Sequence, residues 1–409
     1  MTTHAPSAPR QEFGPIGHLL VLGSGPQAEW EYAMRQLAAD GPLLLIDDEP
    51  PSWQTPHLAG ARTANLLDPA HVLAKARSLA STWPISGVLH FHHAHARTAA
   101  ALRLELGLPG PTAATLEAST LRHRTAQLLA HAGVDHSGAL YADSYDQALQ
   151  AAHQVGFPLV CKPASPRIRY AARKVTAIPE LAEAFVAATA AAWTGTGAVI
   201  EPLLDGIEAT AYTADSPSGP QVVAISHATL DPLAEPSLLP VEVVVDADDV
   251  CAPVIEATAG RALAALGHRA GPAQIRMQIT STGPQVISVT THLTDPLMGM
   301  LIEQVTGIDL ITQAGRAARG RTHDTEERRL GAAAVRFLQG PGTSKQPEPD
   351  ESAPFHVTPY ATLHPYRTHT LVGPLRRSGY LLVAGTDYLQ CSTRLRSAAT
   401  ELRTTRLSA

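Results

Sequence analysis

The chain has 409 residues, enough for two or three domains of ordinary size. Hydrophobic residues make up 44% of it, which excludes global disorder and admits a sizeable core. A formal net charge of −6 gives no basic excess to recruit nucleic acid by counterion release, and three cysteines without paired spacing exclude a disulfide framework or a cysteine zinc site.

The opening MTTHAPSAPRQEFG lacks the apolar centre of a signal peptide and reads as a loose tail. HLLVL (18–22) is a buried-strand run that ends in GSGPQ, and an alanine-containing amphipathic helix follows. LLLID (43–47) and GVLHF (87–91) repeat the pattern, separated by helical stretches such as 69–80. Strand–helix alternation implies parallel strands with right-handed crossovers, so residues 16–112 are expected to form a small doubly wound α/β domain. Gly107-Leu108-Pro109-Gly110-Pro111 closes it, and a helix from about 114 to 132 is expected to end at Gly133. Residues 113–330 read as an α+β unit. FPLVCKP is a strand, IPELAEAFVAATAAA a helix with Pro179 in its first turn, and GAVIEPLLDGIEATAYTA a strand, a turn and a strand. Residues 252–266 and 298–319 are helical patterns flanking GPAQIRMQITSTGPQVISVTTHLTD (271–295), which reads as a hairpin turning at Thr282-Gly283-Pro284. Ile275, Met277 and Ile279 alternate on its first strand; Val286 or Ile287, with Val289, marks the second. Past the Pro/Gly-rich stretch 339–354, residues 331–409 read as short strands and a terminal helix, a small C-terminal subdomain. No run approaches the ~20 apolar residues of a membrane span.

This order of fragments resembles the ATP-grasp superfamily over nearly the whole chain, in the branch that holds biotin carboxylase and amino-acid ligases of peptide and natural-product pathways. The resemblance implies an N-terminal pre-ATP-grasp domain, a central ATP-grasp domain and the C-terminal segment completing the fold. It also implies ATP as cofactor, a small-molecule carboxylate or amino acid as substrate, a C–N bond as product and a homodimer through the N-terminal region. Within it, Lys162 takes the place of the lysine that meets the α- and β-phosphates, and Arg122 falls on the earlier lysine. Glu201 and Glu208 match the positions around adenine and ribose.

Two motifs depart from the pattern. The family's phosphate loop is glycine-rich, because a Cβ obstructs the approach of backbone N–H groups to phosphate. Here ASPRIRYAARKV has no glycine between Pro163 and Gly195 and carries Arg167, Arg169, Arg173 and Lys174. These basic side chains either bind phosphate themselves or form a solvated hairpin. In the 271–295 hairpin, Arg276 falls where the first metal-binding glutamate belongs, Ser288 on the second glutamate, Thr290 on the asparagine and His292 on the arginine that meets the acyl phosphate. Mg²⁺ needs hard oxygen ligands, normally one or two carboxylates. Unit charges ~4 Å apart interact by about 4 kcal/mol at an effective dielectric near 20, so a fixed cation there repels a metal and Mg²⁺ is not expected at the usual place.

A different site is suggested by LHFHHAHARTAAAL, where His90, His92, His93 and His95 follow a parallel strand, at the end where ligands bind in open α/β sheets. Imidazoles so spaced can hold a transition metal, or form an ordinary polar loop. Asp47-Asp48-Glu49 offers carboxylates nearby or a plain turn. GSGPQ lacks the third glycine of a dinucleotide fingerprint, no G-x-S-x-G elbow occurs, and no cysteine has the setting of a reactive thiolate. Three functional readings follow: a cytoplasmic pseudoenzyme that keeps the fold to bind a protein partner or small molecule; a diverged carboxylate–amine ligase using arginines in place of metal, with Arg276 and His292 at the reacting centre; and a scaffold repurposed around the His90–His95 cluster.

Overall fold

The computed structural model describes residues 17–25, 27–165, 171–192, 196–216, 219–231, 235, 237–321, 331–339, 355–372 and 375–407. The expected N-terminal tail (1–16), Arg167 and Arg169 of the basic stretch, and residues 340–354 lie outside the described residues.

In chain order the elements are β1 (His18–Leu22), α1 (Gln27–Asp40), β2 (Leu43–Asp47), β3 (Leu58–Thr63), α2 (Pro69–Ala80), β4 (Ile85–His90), α3 (Ala96–Leu106), α4 (Ala113–Thr120) and α5 (Arg122–His131). Next come β5 (Leu140–Ala142), α6 (Tyr145–Val155), β6 (Leu159–Pro163), β7 (Arg173–Val175), α7 (Ile178–Ala191), β8 (Ala198–Pro202), β9 (Ile207–Ser216), β10 (Gly219–Leu230) and β11 (Pro240–Asp246). The chain ends with α8 (Ala252–Ala265), β12 (Gln274–Thr280), β13 (Gly283–Thr290), α9 (Pro296–Thr306), α10 (Leu310–Ala318), β14 (Ala332–Gln339), β15 (Phe355–Thr358), β16 (Ala361–Val372), β17 (Leu375–Gly385) and α11 (Tyr388–Leu407).

The first sheet is parallel, in the order β3-β2-β1-β4. Its inner strands β1 and β2 carry runs of four apolar residues, Leu19–Leu22 and Leu43–Ile46, because both faces are covered. Leu19, Val21, Leu43 and Leu45 face a core with Met34 and Leu37 of α1 and with Leu301 and Ile311 of α9 and α10. Leu20, Leu22, Leu44 and Ile46 face Val72 and Leu79 of α2 and Leu102 of α3. The helices α9 and α10, distant in sequence, therefore cover one face of the N-terminal sheet. A second sheet, β5-β8-β6-β7, is antiparallel and packs against α6 and α7. The third has nine antiparallel strands in the order β13-β12-β9-β10-β11-β14-β17-β16-β15, so the segment after residue 331 extends the sheet that carries the hairpin. α8 covers the hairpin end, with Ile255, Ala262 and Leu263 against Ile275, Met277 and Val289.

Three local expectations are corrected. The pattern over 114–132 is two helices, broken at Leu121 in extended backbone (φ −91°, ψ 103°), where the Arg122 N–H donates to the Ala164 carbonyl at 2.8 Å. The pattern over 298–319 is likewise split, at left-handed Gly307 (φ 72°), with Asp309 capping the next helix. The hairpin turns at Ser281-Thr282, because Thr280 already pairs with Gly283. Val286 is the buried residue of β13, and Ile287 is the extra residue of a bulge: Arg276 faces Ser288 while Met277 faces Val286.

Candidate functional site

The site grows from three sheets' worth of neighbours. β6 and β8 run antiparallel with Val160 opposite Glu201 and Lys162 opposite Val199, which sets Lys162 and Glu201 diagonally on one face. Both are buried, 1% and 3% exposed, and they form a direct ion pair. The second carboxylate oxygen of Glu201 accepts from Ser137 Oγ at 2.6 Å. Lys162 Nζ also donates to the carbonyl of Ile287, the bulged residue of β13, at 3.4 Å. Burial pushes the lysine down to about 8, opposed by Glu201 and assisted by Arg122 and Arg276. The lysine and glutamate expected to meet phosphate and adenine are thus joined to each other, across the position of the hairpin.

Arg122 opens α5, and burial, with Arg276 close by and Glu201 opposing, lowers it to about 10. Its Nε has no hydrogen-bond partner among the described residues. Arg276 of β12 lies opposite Thr210 of β9 and Ser288 of β13. Its Nε stands 3.5 Å from Oε1 of Glu208, which lies two residues from Thr210 on β9. Arg122, Glu208, Arg276, Ser288 and Thr290 line one cavity of about 120 Å³. Lys162 and Glu201 are not among its lining. The structure therefore brings five of the expected positions to one small polar chamber, buries Lys162 and Glu201 behind it, and turns His292, expected beside Arg276, to a separate cavity with His90.

Asp295, the first carboxylate after the hairpin, accepts from Leu297 N at 3.1 Å as the cap of α9. A cation and two hydroxyls at the three ligand positions, with Glu208 turned to Arg276, do not fit Mg²⁺.

The histidines after β4 do not converge. The His92 ring stacks on Trp30 at 5.1 Å and 23°. His95 Nδ1 lies 3.2 Å from the Leu22 carbonyl. His90 and His93 instead approach His292, at 4.4 and 5.1 Å between ring centroids. Among the described residues no group of three or more His, Cys, Asp or Glu side chains could hold a metal. The rings pair off instead of meeting at one point: His92 packs edge-on against His95 at 5.3 Å, while His90 and His93 turn to His292, because successive residues of the His93–His95 helical turn point to different sides. Asp47 and Asp48 are also committed. Asp47 accepts from Ser24 N at 3.0 Å and Asp48 from Leu66 N at 2.9 Å, so these carboxylates pin loops at the sheet edge.

No family model matches the chain. It is 27% identical over 271 residues to an uncharacterised protein, y4rH, of Sinorhizobium fredii, and spans about half the length of that relative (54%), which in turn covers 64% of this chain. The L-amino acid ligase of Bacillus licheniformis superposes with a TM-score of 0.77 over 95% of this chain and 98% of its own, at 17% identity. This is an ATP-grasp fold. The biotin carboxylase domain of the Hydrogenobacter thermophilus 2-oxoglutarate carboxylase, a dimer solved with MgADP, ADP and bicarbonate, superposes at 0.70 over 93% of this chain and 89% of that one, at 13% identity. The ATP-grasp resemblance read from the sequence thus holds over nearly the full length. Among the described residues no helix is long and apolar enough to cross a membrane.

Sequence reasoning found the positions but not the pairing of Lys162 with Glu201, which needs the β6–β8 register. It missed Ser137, for which the sequence carries no signal, and Arg103. Arg103 did leave one: it falls at the i+7 place of the Ala96, Ala99 face of α3, where an apolar residue belongs.

Proposed function

We propose that the chain is a binding protein built on the ligase-like ATP-grasp scaffold, a pseudoenzyme with respect to Mg²⁺-dependent carboxylate–amine ligation. The observation that carries this is Arg276 paired with Glu208 beside Arg122, at the place where the resemblance puts a metal-binding glutamate. The Lys162–Glu201 pair supports it, because a lysine held by a buried carboxylate is not presented to a phosphate. On this reading the cavity between Arg122 and Arg276 takes a small anion or the acidic group of a partner. The domains run 16–112, 113–330 and 331–409, the setting is a reducing cytoplasm, and the original chemistry belonged to natural-product amide ligation.

One observation favours a second reading, a diverged ligase. Arg122, Arg276 and Lys162 outnumber Glu201 and Glu208 by one charge, and fixed cations stabilise phosphate charge without a metal. Calorimetry with ATP, in Mg²⁺ and in EDTA, separates the two. The binding-protein reading expects no Mg²⁺-dependent affinity and no ADP release with mixed amino acids. Mg²⁺-dependent ATP binding with ADP release overturns it. Binding that ignores EDTA and is lost in Arg276→Glu establishes the arginine-substituted nucleotide site.

A further inference from the structure

A larger cavity, of about 770 Å³, lies behind β4 and the end of β13, away from Lys162, Arg276 and Glu208. Its walls are largely apolar, with Leu89, Pro109, Leu266, Leu293 and Ala317 among them. The size falls within the ~300–1,000 Å³ range of small-molecule sites. At one end stand three polar side chains: His90, Arg103 and His292.

Arg103 is 8% exposed. Its Nη2 donates to the Val88 carbonyl at 2.8 Å and lies 3.5 Å from His90 Nδ1. Its Nε and Nη1 have no partner among the described residues, nor do His90 Nε2 and His292 Nε2. Four polar nitrogens are thus orphaned at one end of a single cavity, and a buried guanidinium without a counter-ion is costly. The carboxylates of the cavity do not supply one. Asp215 accepts from Gly271 N at 2.7 Å, and Glu117 is exposed on α4. Room for the arginine is made by Gly110 (φ +146°), where a Cβ would fall 2.6 Å from Arg103 Cδ. We propose that this cavity binds an organic acid, its carboxylate accepting from Arg103, His90 and His292 and its apolar body lying against Leu89, Leu266, Leu293 and Ala317.

The charge balance agrees with the geometry. Burial first, then His292 and Arg103, holds His90 well below its usual value, and burial with Arg103 and His92 takes His292 to about 3. Both rings are therefore neutral at pH 7, and each neutral imidazole still has one N–H to donate. A carboxylate, with two oxygens and about four lone-pair sites, can accept from the guanidinium fork and from both rings together. This inference is independent of the reading of the hairpin chamber, whose residues take no part.

The test is calorimetry on the full chain with hexanoate and benzoate against hexanamide and benzamide. The acids are expected to bind and the amides to bind at least about tenfold more weakly, since only a charged acceptor answers the guanidinium. Arg103→Met should lose acid binding while its thermal midpoint holds or rises, because an unpaired buried charge has been removed. Ala317→Phe fills the cavity with Arg103 in place and should also lose binding, which covers a failure of the first variant to fold. The inference is overturned if neither acid binds, if amides bind as well as acids, or if binding persists in Arg103→Met.

Discussion

Replacing Glu201 by Gln tests whether Lys162, which the resemblance places at the nucleotide phosphates, is sequestered. The change keeps volume and an acceptor for Ser137 Oγ, but it removes the charge that holds Lys162, leaving the ammonium the Ile287 carbonyl at 3.4 Å. Because Lys162 and Glu201 are 1% and 3% exposed, solvent cannot take over the lost partner. Breaking a buried pair from one side costs roughly 3–5 kcal/mol, of the same order as the ~4 kcal/mol Coulomb attraction at an effective dielectric near 20. Part of that is recovered as the lysine sheds its proton, since its value, already down to about 8, falls further without Glu201. Urea unfolding at pH 7 followed by circular dichroism should show the loss. Lys162→Met with Glu201→Met should recover most of it, because two apolar chains leave no charge behind. A loss below about 1 kcal/mol in Glu201→Gln would mean a lysine open to solvent and to a phosphate, and the binding-protein reading would lose its second support.

Further outcomes follow from the same geometry. Gly110→Ala meets Arg103 Cδ at 2.6 Å with φ at +146° and should cost about 1–3 kcal/mol in thermal unfolding; a neutral result would mean that Arg103 lies elsewhere. His90 and His292 are held neutral in the fold, while the unfolded chain protonates them near pH 6.5. More protons are bound in the unfolded state below that point, so stability falls as pH drops below about 6.5, by up to ~1.4 kcal/mol per unit for each ring, and for His292 the loss continues toward about 3. His292→Asn should flatten the slope of thermal midpoint against pH between 7 and 5, and an unchanged slope would show that the ring is already solvated. Arg276→Glu alone should not restore Mg²⁺-dependent ATP binding in calorimetry, whereas Arg276→Glu with Ser288→Glu and Thr290→Asn should create measurable Mg²⁺ affinity.

Much of the fold was legible because its signals are local. The uninterrupted apolar runs of β1, β2 and β4 announce a parallel sheet covered on both faces, and the hairpin's Ile275 and Met277 alternate as half-buried strands do. Gly307 marks the break between α9 and α10 inside what reads as one long helical pattern, since the apolar periodicity continues across it. The break at Leu121 left no such mark, because it is fixed from outside by the bond from Arg122 N to the Ala164 carbonyl. The site divides the same way. The residue types at Arg276, Ser288 and Thr290 carry the argument against Mg²⁺ from the sequence alone, since no register makes an arginine a Mg²⁺ ligand. What Lys162, Glu201 and the histidines do instead depends on which strand lies beside which, and on the side each residue of a helical turn faces.

The altered positions read as one coupled change. Exchanging a carboxylate for Arg276 shifts the chamber by two charges, toward Arg122 on one side and Lys162 on the other. Left alone, Arg122 and Arg276 in the chamber and Lys162 behind it would repel one another, and each of the two nearby glutamates takes up one cation: Glu208 meets Arg276, and Glu201 meets Lys162. Arg122 is left with an orphaned Nε facing the remaining space. The glutamates that the resemblance assigns to adenosine are then spent on internal neutralisation, so affinity for a nucleotide has to compete with two ion pairs, one of them buried. A small anion placed between Arg122 and Arg276 breaks neither pair. On the proposed binding-protein reading, that asymmetry is the reason the chamber should take a compact acidic group in preference to ATP.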